Sequence, residues 1–417
     1  MFRDALLHQP QCAPGALHVT GQPRCCRRTS EAQGSRVLRL LQEAARAHGG
    51  CGEFSLAAVR PGHRGLFRRR PLSPSRRLGW VRRGPAGRLA LAGARSRWKE
   101  KRLRVAITGA NGLLGGALAS LHLARGDEVR GLVRNARRAA DSLPGMRVFE
   151  GDLAVESSRL TDFLDGADIV YHCAAELQDP ARMSATNVEG TRRLLTAAAG
   201  RIGRWIQVGT VGVYGRPRNG VITEKSPLAP ADAYAESKAH ADSLVMELSS
   251  VGNFEYAILR CCAVIGPGMP GRFLYRLIGL LDRGFFAPIG APGALVSLIP
   301  VANVAHALNE CAMLPQAAGR TYNLADQCTV EHLMEVCCNA LGREMPRWRL
   351  PEAPVRTVAK LAEWIWPGPL TRAQIDVLTS RVRYSTEQIR RELGYNDVMK
   401  LEVVLRDLAI AWRGRST

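Results

Sequence analysis

The segment Thr108-Gly109-Ala110-Asn111-Gly112-Leu113-Leu114-Gly115 constrains this chain more than any other. It joins a short apolar run, residues 104–108, to a stretch that reads as a helix through about Ala124. Glycines at this spacing allow a sharp strand-to-helix turn and a close approach of backbone to a phosphate. The amino terminus of the following helix offers unpaired N–H groups and a partial positive charge. A glycine triad alone is a weak signal, because ordinary tight turns use glycine too. The strand before it and the helix after it supply the context that a pyrophosphate-binding turn requires.

From Leu103 onward, strand and helix patterns alternate. Further strands are predicted over 128–134, 146–150, 168–175, 205–210 and 256–262, with helices near 187–199 and 233–249. Repeating β-α units imply a parallel sheet covered on both faces, here a Rossmann-type doubly wound α/β fold over residues 103–266. After about Pro267 the text becomes irregular and more aromatic, with helices predicted near 330–342 and 354–364. Residues 267–417 are expected to form a smaller substrate-binding cap over the carboxyl ends of the strands, with some elements returning to the sheet. No internal repeat is present.

The net charge of +21 suggests a nucleic-acid partner until it is located. Residues 1–102 hold 22 of the 58 basic and 5 of the 37 acidic residues, so the chain from Leu103 onward carries only +4. No nucleic-acid surface is expected in that part. The leader over 1–102 is crowded with Arg, Gly and Pro and lacks apolar periodicity, apart from a short helix predicted over 35–47. It reads as a disordered tail, as text upstream of the true start, as an organelle-targeting peptide or, last, as a nucleic-acid arm. No run of about 18 apolar residues predicts a transmembrane helix. The eleven cysteines form no C-x-x-C pair and read as reduced thiols in a cytoplasmic enzyme, with no metal site.

Tyr234-Ala235-Glu236-Ser237-Lys238 carries the chemistry. Its i, i+4 spacing puts phenol and ammonium on one helix face. A free phenol titrates near 10, and a cation beside it is expected to bring it toward the range of a working acid–base. Such a pair also occurs by chance on surface helices, but its distance from the glycine turn removes most of that ambiguity.

Several segments together resemble the extended short-chain dehydrogenases of the NAD-dependent epimerase/dehydratase family, over roughly residues 104–395. They are the G-x-x-G-x-x-G spacing, Gly151-Asp152-Leu153, Asn187 in Asn187-Val188-Glu189-Gly190-Thr191, and the pair Tyr234 and Lys238. Val208-Gly209-Thr210-Val211-Gly212-Val213-Tyr214-Gly215 is similar to the family segment S-S-x-x-V-Y-G, with Thr210 on the active hydroxyl. The resemblance implies hydride transfer at a carbinol carbon, with Tyr234 as acid–base and Thr210 donating to the substrate oxygen. It implies that Gly109, Asn111, Gly112, Leu113, Leu114 and Gly115 cradle the cofactor and that Asp152 and Leu153 meet its adenine. Cys173, Ala174 and Ala175 would leave room for the nicotinamide end, and Asn187, Tyr234 and Lys238 would order it. At the end of the second strand stands Arg134, with Arg137 and Arg138 behind it, where an acidic residue would hold a ribose 2′-hydroxyl. A guanidinium there favours NADP over NAD.

Departures from the family pattern narrow the substrate. Val211 and Gly212 stand where nucleotide-sugar dehydratases carry Asp-Glu, and Ala263 where epimerases place an Asn. The stretch 294–301 is apolar, with no arginine to hold a diphosphate. By contrast, Pro369-Leu370-Thr371-Arg372 and the run 383–395 resemble the closing segment of 3β-hydroxysteroid dehydrogenase-like members, which act on apolar alcohols and ketones. Residues 359–366, with Trp364 and Trp366, suit core packing, an apolar pocket wall or peripheral membrane contact. The favoured expectation is an NAD(P)-dependent oxidoreductase of that branch acting on a small molecule. The alternatives are a nucleotide-sugar 4-epimerase and a non-catalytic dinucleotide-binding protein. The resemblance also implies a homodimer through a helix pair.

Overall fold

Arg104–Thr108 forms β1, and all of it except Arg104 is buried, as a strand covered on both faces must be. The glycine turn leads to α1 (Leu113–Arg125), which closes on Gly126 in the left-handed region, φ 86°. β2 (Glu128–Val133), β3 (Arg147–Glu150), α2 (Arg159–Leu164) and β4 (Ile169–His172) follow. Then come a short α3 (Pro180–Met183), a π-helical segment Ser184–Glu189, α4 (Gly190–Ala198) and β5 (Arg204–Thr210). A single turn of 3-10 helix, Val211–Tyr214, and the small strand β6 (Asn219–Ile222) precede α5 (Ala233–Gly252) and β7 (Glu255–Cys261). The computed structural model describes residues 101–137, 143–155, 159–269, 273–365 and 372–416. The leader up to residue 100 with its predicted helix over 35–47, Arg138, Trp366 and residues 369–371 lie outside the described residues, as does the side chain of Trp364.

Beyond β7 the chain builds β8 (Ala263–Ile265), α6 (Phe273–Asp282), β9 (Leu295–Pro300), α7 (Val301–Met313), β10 (Arg320–Leu324), β11 (Asp326–Thr329) and α8 (Val330–Leu341). It ends with α9 (Glu352–Ile365), α10 (Arg372–Thr379), β12 (Arg381–Tyr384), α11 (Glu387–Leu393) and α12 (Leu401–Ser416).

The main sheet has seven parallel strands in the order β10-β7-β5-β4-β1-β2-β3. This is the doubly wound arrangement, with its switch point between β1 and β4. One face carries a core of Ile107, Leu118, Val304, Leu308 and Ile389 under α1, α7 and α11. The other carries Phe163, Leu194, Trp205 and Leu244 under α2, α4 and α5. A separate core of Leu277, Val296, Met334 and Leu405 unites α6, β9, α8 and α12 beside a three-stranded sheet, β11-β9-β8. β10, which the sequence reading did not predict, is the edge strand beside β7, and α7 packs under the same sheet.

Two predicted elements differ in outline. The strand expected over 168–175 stops at His172, because the N–H groups of Cys173 and Ala174 leave the ladder and donate to Thr108 Oγ1 at 3.1 Å each. The helix expected near 187–199 is regular only from Gly190, since Asn187 lies in the π-helical turn. Its side chain is occupied there with backbone 11 residues upstream.

Candidate active site

The turn after β1 is built for a group that no side chain could accompany. Gly109 holds φ 64° and donates to Leu132 O at 2.9 Å, and a Cβ at Gly115 would stand 2.2 Å from Gly109 O. Gly112, at the amino cap of α1, places no side chain over the helix end. The helix dipole and its N–H groups therefore face outward at the switch point, a fit for pyrophosphate.

A cavity of about 700 Å³ opens above this turn. Of the residues predicted for the site, Gly109, Asn111, Gly112, Leu113, Leu114 and Gly115 form its floor. Arg134, Asp152 and Leu153 line it from the ends of β2 and β3, and Cys173, Ala174 and Ala175 from the end of β4. Thr210 and Tyr234 line it from β5 and α5. Asn187 and Lys238 lie outside that lining and are nearly fully buried, at 2% and 3% exposure. Asp152 already accepts from Arg182 at 2.9 Å and from Ala154 N at 2.9 Å. Val264, Ile265, Met269, Phe273, Leu274 and Leu298 supply an apolar wall from the cap.

α5 begins where Asp232 accepts from Ala235 N at 2.9 Å, which sets Tyr234 in the first turn and Lys238 one turn later. Thr210 ends β5 and accepts from Gly212 N at 3.1 Å, leaving its hydroxyl proton for another acceptor. Electrostatics depart from expectation. Burial pushes the Tyr234 phenol up, with Cys261, Asp242 and Asp232 acting the same way, rather than down toward neutrality. Burial also lowers the Lys238 ammonium, against the opposing influence of Asp242. At Lys238 desolvation outweighs the nearby carboxylate, whereas at Tyr234 the nearby groups add to it.

Next to Cys173 and Ala174 runs a hydrogen-bond chain whose polarity is fixed throughout. Thr191 Oγ1 donates to Asn187 O at 2.6 Å and so accepts from His172 Nε2 at 2.9 Å. His172 Nδ1 then accepts from Thr108 Oγ1 at 2.8 Å, and Thr108 in turn receives the N–H groups of Cys173 and Ala174. Burial, with Lys238 adding to it, lowers His172 to about 3, which matches this neutral tautomer. At the other end Asn187 donates to Ser237 Oγ at 2.9 Å, and Ser237 donates to Tyr234 O at 2.8 Å. Asn187 also clasps both backbone groups of Glu176, at 2.7 and 3.0 Å. The floor of the cavity and the helix bearing Tyr234 are thus tied together.

Besides the apolar residues of the cap wall, three polar residues of this site were missed in the sequence. His172 reads as strand core, and nothing local marks it as a link. Glu176 lines the cavity just after Ala175, its carboxyl held low by the N–H groups of Gln178, Asp179 and Leu177 and by Arg134. Thr186 lines the cavity with a buried hydroxyl that has no partner. Its position next to Asn187 was the available signal, hidden by the π-helical register.

The doubly wound sheet, the glycine turn at its switch point and a Tyr/Lys helix beside the cavity define a short-chain dehydrogenase/reductase. A profile of the NAD-dependent epimerase/dehydratase family matches residues 105–325, and this chain belongs to that family. A 4-hydroxy-2-methyl-3-oxo-4-farnesyl-3,4-dihydroquinoline-1-oxide ketoreductase of Stigmatella aurantiaca is 30% identical over 311 residues, spanning 70% of this chain and 92% of the relative. Sterol demethylase protein B of Methylococcus capsulatus is 29% identical over 312 residues, spanning 69% and 92%. The fold matches that of a dTDP-glucose 4,6-dehydratase double mutant from Streptomyces venezuelae crystallised with NAD, at TM-score 0.59 and 24% identity, over 75% of this chain and 97% of that one. Among the described residues no helix is long and apolar enough to cross a membrane, and no cluster of His, Cys, Asp and Glu could hold a metal ion.

Proposed function

We propose that this enzyme transfers hydride between a nicotinamide dinucleotide and a carbon bearing a secondary alcohol or ketone, on an apolar substrate of the 3β-hydroxysteroid dehydrogenase-like kind. The observation that carries the reading is one cavity that combines the glycine turn, the hydroxyls of Thr210 and Tyr234, and a wholly apolar wall from the cap. Among the described lining residues Arg134 is the one cation, and it stands at the end of β2, away from that wall. A sugar diphosphate would lack a partner there, whereas a ring system would lose apolar surface to Phe273, Leu274 and Leu298. The names of the ketoreductase and the sterol demethylase protein support the same substrate class.

A bound nicotinamide supplies the hydride donor or acceptor. The N–H groups at the start of α1 would hold its pyrophosphate, Thr186 would be a further hydroxyl beside it, and Arg134 would favour a 2′-phosphate. Thr210 donates to the substrate oxygen and polarises its carbon. Tyr234 gives a proton to that oxygen in reduction and takes one in oxidation. Lys238 keeps a positive charge behind them, which favours the phenolate form of Tyr234.

The test is a screen of the purified protein against sterol-like ketones and nucleotide sugars, with external NADPH or NADH followed by absorbance. Stoichiometric loss of reduced cofactor with apolar ketones is expected. Turnover of a nucleotide sugar with no added cofactor would replace this reading with a 4-epimerase.

A further inference from the structure

One helical turn beyond Lys238, a buried carboxylate oxygen lacks a partner. Asp242 is fully buried, and its Oδ2 accepts from Arg260 Nε at 3.0 Å while Oδ1 accepts from nothing. Native proteins seldom leave such an atom unsatisfied, because desolvation is then uncompensated. The arrangement is nonetheless tightly accommodated. Arg260 comes from β7 and meets Asp242 over Gly209 of β5, its register partner. A Cβ at Gly209 would stand 3.0 Å from Arg260 Cγ and 3.4 Å from both Asp242 oxygens. Arg260 spends another donor on Tyr214 Oη at 3.0 Å, so it shares its charge rather than giving all of it to Asp242.

We propose that Asp242 is a positioning residue that keeps Lys238 a cation inside the protein, from a place one turn along the same helix. This rests on the role given to Lys238 above. Residues at i and i+4 share a helix face, which puts Asp242 and Lys238 side by side on α5. The other groups that face Lys238 are His172 and Cys173 from β4 and its end, and Cys261 from β7. His172 is held neutral and both thiols are pushed upward by burial, so none of them carries charge at neutral pH. Asp242 is left as the negative charge beside Lys238 among the described residues. Burial raises its own carboxyl, and Arg260 and then Lys238 act against that rise. The three side chains form a buried group of net +1.

The chain has six lysines, at 99, 101, 225, 238, 360 and 400, so lysine ε-¹³C NMR of the full chain without cofactor or substrate gives a countable set of signals. Lys238→Met assigns the buried one. In Asp242→Asn the titration midpoint of Lys238 should fall by about one to two pH units relative to the parent. In Arg260→Gln, which leaves the carboxylate unshared, it should rise. Parent-like midpoints, or shifts of the same sign in both variants, overturn the proposal. If one variant fails to fold, the other decides alone. If both fail, the pair is a structural clasp and the proposal is lost. Full turnover by Lys238→Met would instead remove the role of Lys238, whatever the midpoints. An inactive Lys238→Met with unmoved midpoints sinks the inference on Asp242 alone.

Discussion

Replacing Tyr234 with phenylalanine removes one oxygen from a half-buried ring and leaves the backbone bonds that hold it untouched. Turnover of an apolar ketone should fall by roughly 10²–10⁴-fold, the usual worth of a positioned acid–base, while cofactor binding stays nearly intact. Retention of full activity would remove the role given to the phenol. Arg134 is exposed at the rim, and its field reaches Glu176 on the neighbouring loop. Arg134→Asp should move the ratio of kcat/KM for NADPH over NADH toward NADH by about tenfold or more, because the new carboxylate repels a 2′-phosphate and suits a 2′-hydroxyl. An unchanged ratio would refute that contact. Both residues were legible in the sequence, since each follows directly from a local motif: the i, i+4 helix pair and the end of the second strand.

The elements that brace the cavity floor were less legible, because their function lies in contacts between segments far apart in the chain. His172 meets Thr108 and Thr191 at separations of 64 and 19 residues. No periodicity distinguishes such a histidine from a strand core residue. The same holds for the π-helical turn, where Asn187 was found by motif but its neighbour Thr186 was not. The chain through His172 has a pH signature whose sign is fixed. Its folded value, about 3, lies below the ordinary 6.5, so the unfolded protein binds the proton first. This contribution to stability is complete above about pH 6.5 and is lost as pH falls toward 3, at roughly 1.4 kcal/mol per pH unit. His172→Gln keeps one donor and one acceptor without a titrating ring. Lowering the pH from 7 to 5 should therefore reduce the parent's free energy of chemical unfolding by about 2 kcal/mol more than the variant's. Equal losses in the two proteins would show that His172 is not held neutral.

At the scale of the whole molecule, the sheet was readable because each strand–turn–helix unit declares itself locally, while of the cap only the helices Val330–Leu341 and Glu352–Ile365 were. β10 is five residues long, follows a helix and pairs with β7, a partner some 60 positions away. α6, β9, α8 and α12 find one another through a core that only the folded chain assembles. The apolar wall of the cavity comes from β8, the segment after it, α6 and β9, so the proposed substrate class depends on the least legible part of the chain. Phe273, the first residue of α6, lines the cavity and is only partly buried, so a charge placed there has access to water. Phe273→Arg should raise KM for a sterol-like ketone by roughly tenfold or more, through loss of aromatic contact and the cost of desolvating a cation against a ring. The sign matters more than the size. A nucleotide sugar would gain a partner for its diphosphate from the same substitution, and its binding would tighten. Measuring KM or Kd for both ligand classes in the parent and in this one variant therefore separates the two chemistries.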